Sequence, residues 1–224
     1  FQWARVLWME ERALCIGSML YWAFWFVCGD AHMASPDGVG YYAYARSIVF
    51  DGDLSILDEF QHWRVSPLFA PLSPLGHVNN MFACGASVMW LPFILVTHAW
   101  MRLAELRGVS GLADGYAAQY ISALSFGSAF YGYLALVFCY RTASRYFPAT
   151  SAAWATVAVA LLSPLWHYLF FEGSLSHAIS AFADALFVYL CFTITAPSVT
   201  SGATRNSSWL VLGFCAGLLT MIRW

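Results

Sequence analysis

The sequence contains no lysine and few charges of either sign. Its ten cations are all arginine, its acids number twelve, and charged residues make up 10% of 224 positions. Water-soluble domains carry about 25% charged residues, so too little polar side chain is present to cover a water-facing surface. The net charge is −2 and no basic patch exists, which excludes a nucleic-acid binder. An apolar share of 61% excludes a disordered chain. The six cysteines include no Cys-x-x-Cys pair, and five lie in long apolar runs. They read as small hydrophobes, not as a metal centre or a disulfide framework. What remains is apolar length and aromatic rings, eleven of them tryptophan. The composition is that of an integral membrane protein.

A helix needs about 20 apolar residues to cross a bilayer. Ala13–Gly29, Gly76–Met101, Gly115–Tyr140, Phe147–Phe171, Ala178–Ala196 and Asn206–Ile222 approach that length. The expected fold is an all-α polytopic membrane protein with about five to six transmembrane or membrane-embedded helices. The first segment reads as a span, not a signal peptide, because Glu10, Glu11 and Arg12 precede it and no small-x-small site follows before Asp30. Residues 1–224 read as one transmembrane domain, expected to be the N-terminal part of a longer protein because the chain opens on Phe1 and closes in an apolar helix. A short Ser/Thr/Gly-rich linker is expected over Pro197–Asn206.

One region breaks the pattern. Asp30–Pro74 holds Asp30, Asp37, Asp51, Asp53, Asp58 and Glu59, half of all the acids, with Pro36, Pro67, Pro71 and Pro74. Arg5 and Arg12 precede the first span, so the positive-inside rule places this loop outside the cytoplasm. Long ordered loops are usually functional. Within it, Gly40–Phe50 reads as an amphipathic helix along the membrane surface, with Tyr41, Tyr44, Ala45 and Ile48 on the apolar face and Arg46, Ser47 and Asp51 turned away. Asp51-Gly52-Asp53 is its stop signal. Whether Gly76–Met101 crosses the membrane stays open, because the ten arginines divide five and five either way; if it does not, the loop extends to Gly115.

Several motifs carry competing readings. Gly38-Val39-Gly40-Tyr41-Tyr42-Ala43 matches a dinucleotide fingerprint but lacks the strand that motif requires. Asp37, after Ser35-Pro36, is a helix N-cap or a carboxylate held at the surface as general base. Asp51, Asp53, Asp58 and Glu59 are solvated and capping acids or contacts to a substrate or metal. His177 and Asp184 lie seven residues apart on one helix face, near Glu172, and an intramembrane acid by default faces a cavity or a partner. Gly213 and Gly217 form a GxxxG packing motif, and Asn206-Ser207-Ser208 a formal glycosylation sequon.

The run Asp37-Gly38-Val39-Gly40-Tyr41-Tyr42-Ala43-Tyr44-Ala45-Arg46, followed by Gly52-Asp53-Leu54, resembles the first extracytoplasmic loop of GT-C membrane glycosyltransferases. These include protein O-mannosyltransferases and the aminoarabinose transferases of lipid A. The family's D-E-x-x-Y-x-x-x-A-R helix is matched with Gly38 in place of its Glu, and its second juxtamembrane helix corresponds to Pro71–His77. The resemblance implies a multi-pass protein of the bacterial inner or plasma membrane with its active face extracytoplasmic. It implies transfer of a sugar from a polyprenyl-phosphate-linked lipid to a glycan, lipid or protein acceptor, with no nucleotide cofactor. Asp37 is then catalytic. Tyr41, Arg46, Arg64, His77, His177 and Arg223 bind donor phosphate or substrate, a divalent metal ion sits on Asp53 and Glu172, and Asp184 is structural or a relay. It also favours Gly76–Met101 as a juxtamembrane or re-entrant element. Two other classes compete: a transporter or flippase with a His177–Asp184 proton relay, and a non-catalytic assembly subunit.

Overall fold

A computed structural model describes residues 2–33, 35–69, 71–109, 113–195 and 202–223, without the side chains of residues 2–10 and 202–206. Its helices are α1 (Gln2–Cys28), α2 (Pro36–Arg46), α3 (Leu57–His62), α4 (Gly85–Glu105), α5 (Ala118–Ala143), α6 (Ala149–Leu162), α7 (Leu165–Phe170), α8 (His177–Ile194) and α9 (Gly202–Ile222), with a π-helical turn over Ser47–Asp51 after α2. Among the described residues the only strand-like pairing is an isolated bridge between Leu72 and Val78. Helices α4, α5 and α8 are long and apolar enough to cross a membrane, and α6 and Ser207–Ile222 are apolar but shorter. The chain is an all-α, multi-pass membrane protein.

Element boundaries depart from the expectation where backbone chemistry intervenes. The span expected over Phe147–Phe171 is broken into α6 and α7. Pro164 biases the residue before it away from helical geometry, and Ser163 ends α6 in an extended conformation (φ −105°, ψ 165°). The span expected from Gly76 starts only at Gly85. The residues ahead of it are tied into the loop: Asn80 Nδ2 donates to the Gly40 carbonyl at 2.8 Å, and its Oδ1 accepts from the Phe82 amide at 3.1 Å. Once formed, α4 runs 21 residues through Pro92. At about 1.5 Å per residue that is long enough for a full crossing, whereas the resemblance favoured a re-entrant element. Residues 197–201 of the expected linker, the side chain of Arg5 and that of the sequon's Asn206 lie outside the described residues.

The chain divides into two compact units. One comprises Phe1–Gly29, Ala129–Phe170 and His177–Thr220. It is knit by aromatic packing and a few buried polar bonds. Tyr21 stacks near Tyr133 and Phe170, its hydroxyl donates to the Ala129 carbonyl at 2.7 Å, and Ser18 pairs with the Tyr133 hydroxyl at 2.7 Å. Gly132 lets Leu169 approach where a Cβ would overlap it. A Cβ on Gly213 or Gly217 would meet nothing within 4 Å, so the GxxxG motif is not used for close packing among the described residues.

The other unit comprises Asp30–Ser128, Phe171–Ser176 and Met221–Trp224. Its small core is Val39, Ala43, Ile56 and Phe60, with Met33, Tyr44, Trp63, Val65 and Val78 packed around it. Helix α2 lies against α4, where the Ser87 hydroxyl donates to the Tyr41 carbonyl. Trp90 donates to Ser128 Oγ at 2.9 Å, and Ser128 donates to the Gly173 carbonyl at 2.6 Å, a buried polar chain that fixes α4 and α5 to the Phe171–Ser176 turn. Gly38 and Gly40 lie inside α2 with no strand before them, so they are packing glycines and not a nucleotide fingerprint. A Cβ on Gly40 would overlap the Phe82 ring, and one on Gly38 would crowd Ser174.

Candidate functional site

Helix α2 begins at Pro36, earlier than expected, because Ser35 and Pro36 supply a start signal. Ser35 is the N-cap in an extended conformation (φ −151°, ψ 161°), and its hydroxyl accepts from the Gly38 amide at 3.4 Å. Proline at the first helical position loses no hydrogen bond, since that amide has no partner within a helix. Asp37 therefore is not the cap. It sits exposed in the first turn, with no hydrogen-bond or ion-pair partner among the described residues. The partial positive charge of a helix N-terminus favours an anion there. The fully buried Ser174 turns its hydroxyl toward Gly38, and that oxygen has no hydrogen-bond partner among the described residues.

Helix α2 packs the side that carries Arg46 against the protein. Gly38, Val39, Tyr42, Ala43, Ala45 and Arg46 are buried, while Tyr41 and Tyr44 are half-buried and Ile48 is 46% exposed. Arg46, only 7% exposed, is drawn inward because three carboxylates converge on it. Its Nη1 donates to Asp51 Oδ2, to Asp58 Oδ2 at 2.7 Å and to Glu59 Oε1 at 3.3 Å. Its Nε and Nη2 both donate to the Asp114 carbonyl at 3.3 Å. The guanidinium carbon lies 4.1 Å from the centre of the Tyr116 ring, and Tyr116 in turn stacks on His62 at 3.8 Å. Tyr42, fully buried, donates to the Gly115 carbonyl at 2.8 Å.

The π turn and its end bring these acids round. Gly52 takes the left-handed conformation (φ 73°, ψ 22°) that the stop signal predicts, and its amide donates to the Ser47 carbonyl at 2.9 Å. Asp51 thereby points back to Arg46, whereas Asp53 turns to the other side. Asp53 Oδ1 accepts from Ser47 Oγ and from the Ser55 amide, both at 2.9 Å. Short helix α3 then supplies Asp58 and Glu59 from consecutive positions.

The protonation of this cluster is uneven. Burial pushes the Glu59 carboxyl up to about 8, with the neighbouring Asp58 adding to the shift. Burial also raises Asp51, against the pull of Arg46. Asp58 lies below its ordinary value: burial opposes this, but the neighbouring Glu59, the Tyr116 hydroxyl and the charge of Arg46 outweigh it. Burial alone would lower the Arg46 guanidinium, yet Tyr116, Glu59 and Asp51 hold it above its ordinary value, so it stays charged. Near neutrality Arg46 is a cation and Glu59 a neutral acid.

One oxygen from each of Asp51, Asp58 and Glu59 lies within 4.8 Å of the others, a grouping able to hold a divalent ion. All-carboxylate oxygen donors suit magnesium, calcium or manganese. The guanidinium Nη1 already occupies the point on which those oxygens converge, so an ion and Arg46 compete for one position. Arg46 reaches one oxygen of each acid, and the buried Glu59 Oε2 has no hydrogen-bond partner among the described residues.

The other sequence candidates are dispersed. Arg64 is exposed and takes a positive φ of 51°. His77 is exposed, and its amide donates to Ser73 Oγ at 3.2 Å. Tyr41 packs its ring 5.0 Å from Phe82. Arg223 is exposed beyond α9, and Glu172 is half-buried within the Phe171–Ser176 turn and is not among the clustered acids. His177 packs edge-on against Tyr168 at 3.9 Å. Asp184 is exposed and makes no hydrogen bond or ion pair among the described residues, so the inward-facing His177–Asp184 pair does not form. Helix α8 buries Ala178, Ile179, Phe182 and Ala183, and Asp184 falls one position off that stripe. Sequence reading missed Tyr116, the Asp114 carbonyl and Ser174, which come from outside the acid-rich stretch and are brought in only by the fold. No known protein family matches the chain, and neither curated proteins nor solved structures yield a match.

Proposed function

We propose that this chain is the membrane-embedded part of a transferase that moves a sugar from a polyprenyl-phosphate-linked donor to an acceptor hydroxyl at the extracytoplasmic surface. The observation that carries the reading is the contrast between the two ends of α2. At its start, Asp37 is an exposed and uncommitted carboxylate. At its end, Arg46 is sunk into three carboxylates that pin the loop. A free base on a rigidly held surface helix is what proton removal from an acceptor requires.

In this reading Asp37 takes the proton of the acceptor hydroxyl as its oxygen attacks the anomeric carbon. The bond from that carbon to the phosphate oxygen breaks, and its electron pair leaves with the lipid phosphate. In this reading the exposed Arg64 and His77, on the same loop, are the residues that would meet that phosphate. Arg46 is a positioning residue, because its donors are spent on the carboxylates and the Asp114 carbonyl. Nine residues separate it from Asp37, about 14 Å along a helix, too far to touch the same reacting centre. A divalent ion held by Asp51, Asp58 and Glu59 would likewise brace the loop.

Photo-crosslinking tests the donor class without knowledge of the acceptor. The full-length protein is irradiated with a diazirine-bearing polyprenyl phosphate and its peptides are mapped. Label within residues 30–115, competed away by unlabelled polyprenyl phosphate, is the expected result. Absence of any competable label there would remove the lipid-linked donor from the account.

A further inference from the structure

The unit built from Phe1–Gly29, Ala129–Phe170 and His177–Thr220 carries a second feature that the transferase reading does not use. Helices α1, α5 and α6 enclose an apolar groove of about 420 Å³. Small residues on two of its walls, Gly17 on α1 and Ala153 and Ala160 on α6, give it width, and Phe24 and Phe170 close one end. On α1 it runs from Ala13 to Phe24. Eleven steps of about 1.5 Å make it roughly 16 Å long, about half of a ~30 Å hydrocarbon core. The groove is one leaflet deep.

At its other end the lining changes character. Leu14 and Tyr140 belong both to the groove and to a polar pocket of about 280 Å³, whose remaining walls are Arg141, Ser144, Arg145 and Tyr189. That pocket holds two cations and no acid. Arg145 is held in place: its Nη2 donates to Thr193 Oγ1 at 2.7 Å and its guanidinium lies over Tyr189 at 4.6 Å. Arg141 makes no ion pair or hydrogen bond with any described side chain. The Ser144 hydroxyl is buried there without a partner among the described residues. Two guanidiniums and an unused hydroxyl at the mouth of a one-leaflet apolar groove match one chemical object, a lipid with an anionic phosphate head.

We propose that this groove binds one anionic glycerophospholipid, an acyl chain lying along α1 and α6 and the phosphate held by Arg141, Arg145 and Ser144. A free phosphate would leave the groove empty. A neutral or zwitterionic lipid would leave the two cations without net compensation. The site shares no residue with the Asp37 or Arg46 groups and stands whether or not the chain is a transferase.

Native mass spectrometry of the full-length protein in detergent, with added phosphatidylglycerol or phosphatidylcholine of identical chains, tests this. Arginines near an anionic head contribute enough that two of them give roughly a 30-fold preference for phosphatidylglycerol. In the double variant Arg141→Gln, Arg145→Gln that preference falls to near unity, and in Ala160→Trp both lipids are lost. Millimolar inorganic phosphate leaves the native preference intact. Equal retention of the two lipids by the native protein overturns the proposal and needs no variant. So does a preference that survives loss of both arginines, or one that inorganic phosphate abolishes.

Discussion

Glu59 is the residue on which the loop's chemistry turns. Its ordinary value is 4.5 and burial raises it to about 8 in the folded protein. The folded state therefore holds a proton that the unfolded chain has already released across that interval. Stability from this group is full below about pH 4.5 and is lost as pH rises toward 8. Thermal melts in detergent should show the native protein losing on the order of a few kcal/mol between pH 6 and pH 9. Glu59→Gln mimics the neutral acid and should flatten that slope, with stability near native at pH 6 and above native at pH 9. Equal slopes would mean that Glu59 is ionised throughout. Arg46 gives the companion test. Its removal leaves Asp51 and Asp58 without a counter-charge, and because those acids are 32% and 51% exposed the loss is moderated by water. Arg46→Ala should cost about 2–3 kcal/mol. It also vacates the position on which the acids converge, so added calcium should raise the melting temperature of the variant more than that of the native protein.

At the scale of elements, chain punctuation was legible and burial was not. The stop at Asp51-Gly52-Asp53 was readable from local chemistry, whereas the start was expected at Gly40 with Asp37 as cap and lies at Pro36 with Ser35 as cap. The side of that helix that carries Tyr41, Tyr44 and Ile48 stays half-buried or exposed, while the side turned away from it is packed into the protein. Here a charged side chain is buried by partners that lie 5, 12 and 13 residues away in sequence, beyond the reach of a helical pattern. The span over Phe147–Phe171 shows the same division. Apolar length suggested one crossing, and Pro164 marked the break that hydropathy ignores. Two glycines separate conformational cost from crowding. Gly52 has open space around it, so Gly52→Ala pays only for its positive φ, about 1 kcal/mol. Gly40→Ala keeps a helical φ but drives a methyl into Phe82, and should cost about 1–3 kcal/mol. Melts of the two variants should rank them in that order.

For the whole molecule, composition sufficed for the membrane class, because 10% charge cannot coat a water-facing surface. The candidate site was legible only in part. Asp37 stood out through its place after Ser35-Pro36, and the loop acids through their density. Nothing in the sequence joined Asp114 and Tyr116 to Arg46, or Ser174 to Gly38, since those contacts exist only after the helices pack. The topology has its own check. Leu75 is 84% exposed in the loop, so Leu75→Cys should react with a membrane-impermeant maleimide in intact cells, and reaction only after permeabilisation would put the loop in the cytoplasm. The transferase reading rests on the charge of one side chain. Ser35, not Asp37, caps α2, so Asp37→Asn leaves the helix its start signal and removes only the carboxylate charge. Sugar transfer from the lipid-linked donor by the full-length protein carrying Asp37→Asn should fall roughly 10²–10⁴-fold with its melting temperature lowered only slightly; transfer at the native rate would contradict the account.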